Sequence, residues 1–267
     1  MPFTFAHAAA AYPFRRTRLI LSALIIGTFA PDLEFFLRFA PKGPFGHTFR
    51  GLFLFCLPVG LIVFWVFHEV VKEPLAALMP KYIRDRIDSS AYPLSLRRPL
   101  QLLLVLVSIL IGAATHIFWD SFTHAGYWPS EHWPLLWYTT ALPGLGPVHV
   151  YKILQYVSTV FGSLAVLLWC QYWLRHAPIQ PHPAGELVPA RQAQIARILI
   201  PVLAVLGAVV RAKISRAYFT GPREVEFWIG EFVVATISFA WLELIAWGLT
   251  LPPPALRDPF PQTAESD

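Results

Sequence analysis

Four stretches of the chain, Leu52–Val71, Leu100–Trp119, Tyr151–Leu174 and Phe227–Leu251, are predominantly apolar. Each is about as long as the roughly 20 residues that a helix needs to cross a bilayer. Ile195–Ala212 is shorter and carries Arg197 near its start and Arg211 near its end. Leu19–Phe39 is the weakest candidate, because Asp32 and Glu34 lie inside it. The pattern predicts an all-α, polytopic membrane protein with about six spans, or about five if a weak one is re-entrant. Between the spans, Lys72–Pro99 and Arg175–Gln194 are polar and punctuated by proline, and read as loops.

Composition agrees with this pattern. Of the 267 residues, 56% are hydrophobic and 14% charged, whereas a soluble domain has about 25% charged residues to cover its surface. No internal repeat is visible, so residues 1–250 read as a single helical membrane domain. Residues 251–267 read as a proline-rich, acidic, disordered tail. The cluster Arg15, Arg16 and Arg18 follows the first apolar stretch, which argues against a cleaved signal peptide.

The net charge of +5 comes from basic residues scattered beside the spans, not from a patch. It therefore speaks for membrane topology and against nucleic acid. Lys72–Pro99 is rich in Lys and Arg, while Asp120–Val150 contains neither, which assigns the first to the cytoplasmic side and the second outside. Arg211, Lys213, Arg216 and Arg223 go against that assignment. Cys56 and Cys170 match neither a disulfide framework nor a zinc-finger spacing, and read as small buried apolar residues.

The chemistry concentrates in a few costly positions. His116 and Asp120 are four residues apart in an apolar helix, hence on one face, and His124 follows at the same interval. Ionisable side chains inside a membrane are expensive unless they are paired, solvated or bound to a metal. An early hairpin, with Phe5–Phe14 and Leu19–Phe39 joined by a turn at Arg15–Arg18, brings His7 toward Asp32. His47 begins the next span. His7, Asp32, His47, His116 and Asp120 are therefore the predicted ligands of a divalent metal, with zinc the best fit to imidazole and carboxylate donors. Glu34, His124 and His149 are candidates for extra ligands, outer partners of the metal or proton carriers, and Glu34 or His124 is the candidate for catalytic general base. His68 and His176 read as packing residues. Glu231 and Glu243 either mark a proton path or pair with Arg211 or Lys213. Tyr127–Tyr138 reads as an interfacial aromatic belt.

The order of these motifs resembles the YdjM-type family of bacterial inner-membrane proteins. The likeness lies in the N-terminal His7, Pro31–Asp32, His47–Thr48, His116, Asp120 and Thr123. That family is described as membrane-bound metal-dependent hydrolases, with a motif order similar to that of zinc-dependent phospholipase C. The start MPFTFAHAAA and the segment SALIIGTFAPDLEFFLR resemble more closely a related bacterial membrane family known only as a domain of unknown function. The YdjM-type pattern has a further acidic residue and a His after Pro-Asp, where this chain has Glu34 and Phe35, and a fuller loop than GHTFRG. These departures favour one metal over two. The resemblance implies hydrolysis of a phosphoester or lipid-linked substrate near the outer membrane–water interface, with membrane lipid as the partner. The alternatives are an ion- or proton-coupled transporter, or a non-enzymatic scaffold.

Overall fold

The computed structural model describes residues 4–88, 98–142, 146–181, 183–186, 188–216 and 224–251. Among them, five helices are long and apolar enough to cross a membrane, with mean hydropathy of 1.7 to 2.3 over their most apolar windows. They are α3 (Phe49–Leu78), α4 (Pro99–Thr123), α5 (Val150–His176), α6 (Ala190–Arg216) and α7 (Glu224–Thr250). The chain is thus an all-α, integral membrane protein. The proline-rich tail predicted after Leu251 lies outside the described residues.

The sixth predicted span is broken. Leu19–Phe39 divides into α1 (Leu21–Phe29), a single 3-10 turn (Ala30–Asp32) and α2 (Leu33–Arg38). Pro31 supplies no N–H to an α-helical ladder, and the chain tightens around it. Two other boundaries also move. Lys72–Leu78 continues α3 instead of opening a loop. The Asp120–Val150 stretch holds two helical turns, Trp128–His132 and Pro134–Trp137, and a hairpin pairing Thr139–Leu142 with Gly146–His149.

The chain forms two compact units. The first comprises Met1–Glu34, Gly43–Phe64 and Ser95–His176. It starts with a 3-10 helix, Thr4–Phe14, that turns back at Arg15–Arg18 along α1. The predicted hairpin is present, but its first arm is not α-helical. With a rise of ~2.0 Å per residue, His7 lies ~18 Å from the turn, against ~21 Å for Asp32 along an α-helical arm. The tighter helix therefore brings the two into register. The arms meet where Phe5 packs edge-on to Phe29, with ring centroids 5.3 Å apart.

Helix α4 lies against α1 along one stripe: Val105, Ser108, Ile109, Gly112, Ala113, His116, Asp120 and Thr123 are all buried. Their spacing is that of a single helical face. Small residues allow the two backbones to approach closely. A Cβ on Gly27 would collide with the Ile109 carbonyl, and one on Gly112 with the Leu24 carbonyl. Ser108 Oγ accepts the Ile20 N–H at 2.9 Å. Ser108→Ala removes that acceptor in a buried place and is expected to cost about 1–3 kcal/mol. Thermal unfolding in detergent, followed by tryptophan fluorescence, measures it.

Cys56 is buried and donates to the Gly46 carbonyl at 3.2 Å. Cys170 departs from expectation: it is exposed on α5, among apolar neighbours such as Leu167, Leu168 and Trp173 that are exposed as well. A lipid-facing helix needs no protein cover for such residues.

The second unit comprises Phe35–Lys42, Trp65–Leu94 and Ala177–Asp267. Its centre is the α6–α7 pair, where Gly207 leaves room for the Phe239 ring. The Arg197 guanidinium donates to the Ala77 and Leu78 carbonyls, satisfying acceptors that the end of α3 leaves open. Glu73 accepts the Gly185 N–H at 2.5 Å. Gly185 has a positive φ of 78° and abuts the Ala77 backbone, so both its conformation and its space call for glycine.

Candidate metal centre

Five side chains from four segments of the first unit converge. The N-terminal 3-10 helix supplies His7, the turn before α2 supplies Asp32, the loop before α3 supplies His47, and α4 supplies His116 and Asp120. All are buried except His47, which is partly so. His47 Nε2 is 3.2 Å from Asp32 Oδ1 and 3.7 Å from Asp120 Oδ2. His116 Nε2 is 3.7 Å from Asp32 Oδ1 and 3.3 Å from Asp120 Oδ2. Donors bound to one tetrahedral zinc at 2.0–2.1 Å stand about 3.3–3.4 Å apart, so these four separations have the size of coordination edges.

Backbone and hydroxyl groups around the cluster orient its donors. His116 Nδ1 is 2.7 Å from the Thr28 carbonyl, and His47 Nδ1 is 3.2 Å from the Gly43 carbonyl. A carbonyl only accepts, so each Nδ1 carries a proton and Nε2 is the ring nitrogen turned inward. Thr4 donates to Asp32 Oδ2 at 2.6 Å and leaves Oδ1 for the centre. This is how proteins commonly fix histidine and carboxylate ligands from behind. Thr4→Val keeps the shape of that residue and removes the hydrogen bond. It is expected to weaken metal affinity by about 10–100-fold, as competition with a chromophoric chelator reports.

Among the described residues, His7 Nε2, Asp32 Oδ1, His116 Nε2 and Asp120 Oδ1 are buried without a hydrogen-bond partner. Such atoms are costly in an interior. Here they face one another: lone pairs of nitrogen and oxygen point at a common space, which favours a cation between them. Burial, reinforced by the neighbouring His116 and opposed by Asp120 and Asp32, pushes the His7 imidazole down to about 3. His7 is therefore neutral near pH 7 and open to a metal.

The two predicted bases are placed differently. His124 Nδ1 lies 3.5 Å from Asp120 Oδ1, and its Nε2 lies 2.8 Å from the Gln155 side-chain amide. Its side chain is 22% exposed, against 12% for His47 and 0% for His116. Glu34 is buried and accepts the Gly46 N–H at 3.0 Å, so its carboxylate shapes the loop that presents His47. His149 bonds locally, to the Trp137 carbonyl just before its hairpin at 2.7 Å and to Thr139 within it at 3.0 Å. His176 bonds to the Tyr172 carbonyl of its own helix. In the second unit, Glu231 accepts from Ser215 at 2.6 Å and pairs with Arg211 at 3.2 Å, so the Arg211 pairing, one of the alternatives read from the sequence, is present.

Thr4, Thr28 and Gln155 escape a reading of the sequence. Thr28 and Gly43 contribute backbone carbonyls, which no side-chain pattern announces. The stripe Ser108, Gly112, His116, Asp120, each four residues after the last, is a signal that points to the buried face of α4.

No curated protein and no solved structure matches the chain. One family model does, over residues 1–249. It covers all five membrane-crossing helices almost to the end of α7, and every residue of the cluster. The chain belongs to the family described as Domain of unknown function (DUF4184).

Proposed function

We propose that this protein is a membrane-embedded, metal-dependent hydrolase that acts on a phosphoester or lipid-linked substrate at the membrane–water interface. The observation that carries this reading is the convergence of His7, Asp32, His47, His116 and Asp120, with inward atoms of His7, Asp32, His116 and Asp120 that lack hydrogen-bond partners. Zinc is the preferred ion, because three imidazoles and two carboxylates suit its borderline-soft character. When bound, such an ion polarises a phosphoryl oxygen and brings a water molecule near to deprotonation at neutral pH.

The chain's own residues supply the rest. His124, the most exposed imidazole beside Asp120, takes a proton from the attacking water. The water oxygen bonds to phosphorus, the P–O bond to the alcohol breaks, and the same proton passes to the departing alkoxide. The products are an alcohol and a phosphate monoester or free phosphate. Glu34 acts through the loop it holds, as a positioning residue for His47.

A groove of about 340 Å³ beside His7 supports a lipid-linked substrate. Ala6, Ala10, Phe118, Trp119, Phe161 and Gly162 are among the residues that line it. An acyl or polyprenyl chain fits such a surface, and its head group would then reach the cluster. The test is release of phosphate or alcohol from phospholipid and polyprenyl-phosphate vesicles by the purified protein, with and without chelator. Chelator-sensitive release is the expected result. A protein that holds zinc at its centre yet releases nothing from either vesicle counts against hydrolysis.

A further inference from the structure

The donor atoms do not form one set. They fall into two trios, each with its atoms within 4.8 Å of one another: Asp32, His47 and His116, and His7, His116 and Asp120. A single His116 Nε2 lone pair serves one ion only. Asp120 resolves the overlap, because its two oxygens face different imidazoles. Oδ2 is 3.3 Å from His116 Nε2 and 3.7 Å from His47 Nε2, whereas Oδ1 is 3.5 Å from His7 Nε2.

The rings give a second, independent measure. His7 and His116 stack almost in parallel, with centroids 3.7 Å apart and planes inclined by 16°. Two-metal hydrolytic sites hold their ions about 3.5–4 Å apart. The separation of the two rings is of the same size.

We infer that the centre is built for two divalent cations bridged by the Asp120 carboxylate. This rests on the metal-centre reading proposed above and extends it. The first ion takes Asp32 Oδ1, His47 Nε2, His116 Nε2 and Asp120 Oδ2. The second takes His7 Nε2 and Asp120 Oδ1, and its remaining positions are left to water and to a substrate oxygen. The second position is the one next to the apolar groove, since His7 also lines that groove. It is also next to His124, whose Nδ1 is 3.5 Å from the same Oδ1. With two protein ligands against four, the second ion is the more weakly held.

The experiment is Mn²⁺ titration of the full chain in detergent, read by bound-metal content and by electron paramagnetic resonance. Two equivalents and a spin-coupled signal are expected for the wild type. His7→Ala, and His7→Phe, which keeps the ring stack without a donor, are expected to bind one equivalent and show an uncoupled signal. One equivalent in the wild type, or two in both variants, overturns the binuclear centre and leaves a single-metal site intact. A wild-type protein with no bound manganese or zinc overturns the metal centre itself, and the inference with it.

Discussion

Asp120→Ala is expected to leave the purified protein without stoichiometric divalent metal and without turnover. Asp120 is the one residue of the cluster within 3.7 Å of His7, His47, His116 and His124 through its side chain. Loss of an outer-shell partner alone lowers metal affinity by about 10–100-fold, so loss of this carboxylate should exceed ~100-fold. Removal of the charge also takes away the carboxylate beside His7 and His124. Asp120→Asn separates the charge from the volume: it fills the same space and should lose the metal almost as fully. Elemental analysis beside the wild type measures both, and circular dichroism checks the helical fold. Full metal content in folded Asp120→Ala protein would sink the site.

The second large effect lies behind the centre, at Gly112→Ala. The added Cβ would fall 2.7 Å from Thr28 N and 2.8 Å from Gly27 C, and would overlap the Leu24 carbonyl. These are backbone atoms of α1, so no side chain can swing away. Overpacking of this kind costs about 1–3 kcal/mol, and the rigid neighbour puts this case at the upper end. Thr28 also presents the carbonyl that His116 Nδ1 uses, at 2.7 Å. Separation of the helices should therefore weaken metal binding as well as lower the melting temperature. Leu103→Ala, on the same helix but 54% exposed, is the control and should change stability by no more than about 0.5 kcal/mol. If Gly112→Ala melts like Leu103→Ala, the close approach is not what holds α1 to α4.

Both predictions depend on α4, and the sequence exposes that helix well. Its apolar length identifies it as a membrane-crossing helix, and the four-residue spacing of His116 and Asp120 puts them on one face by helical periodicity alone. The hairpin of the first residues was equally legible, because three arginines between two apolar stretches mark a turn. Its detail was not. The 3-10 form of Thr4–Phe14 depends on packing against α1 and α5, and on the small Ala6 that meets Gly162. Local propensity alone rarely sustains so long a 3-10 run. The break at Pro31 was partly visible, since proline and two acids in one apolar stretch already argue against an unbroken span.

The costly residues separated by function only in three dimensions. Asp32 and Glu34 are two positions apart, yet Asp32 faces the imidazoles while Glu34 secures the Gly46 backbone. Glu231 reads from its sequence either as part of a proton path or as a partner of Arg211 or Lys213, and it is tied to Arg211 and Ser215.

The sequence by itself determined the membrane-crossing helices, because a bilayer imposes length and apolarity on each segment separately. It also determined which ionisable residues are expensive, since that cost depends on local surroundings along a span. Tertiary structure decided which of them meet, and how. The Thr28 carbonyl that turns His116 Nε2 inward, and the division of the two Asp120 oxygens between His47 and His7, arise from contacts between segments distant in the chain. Such contacts are set by backbone packing and not by residue order.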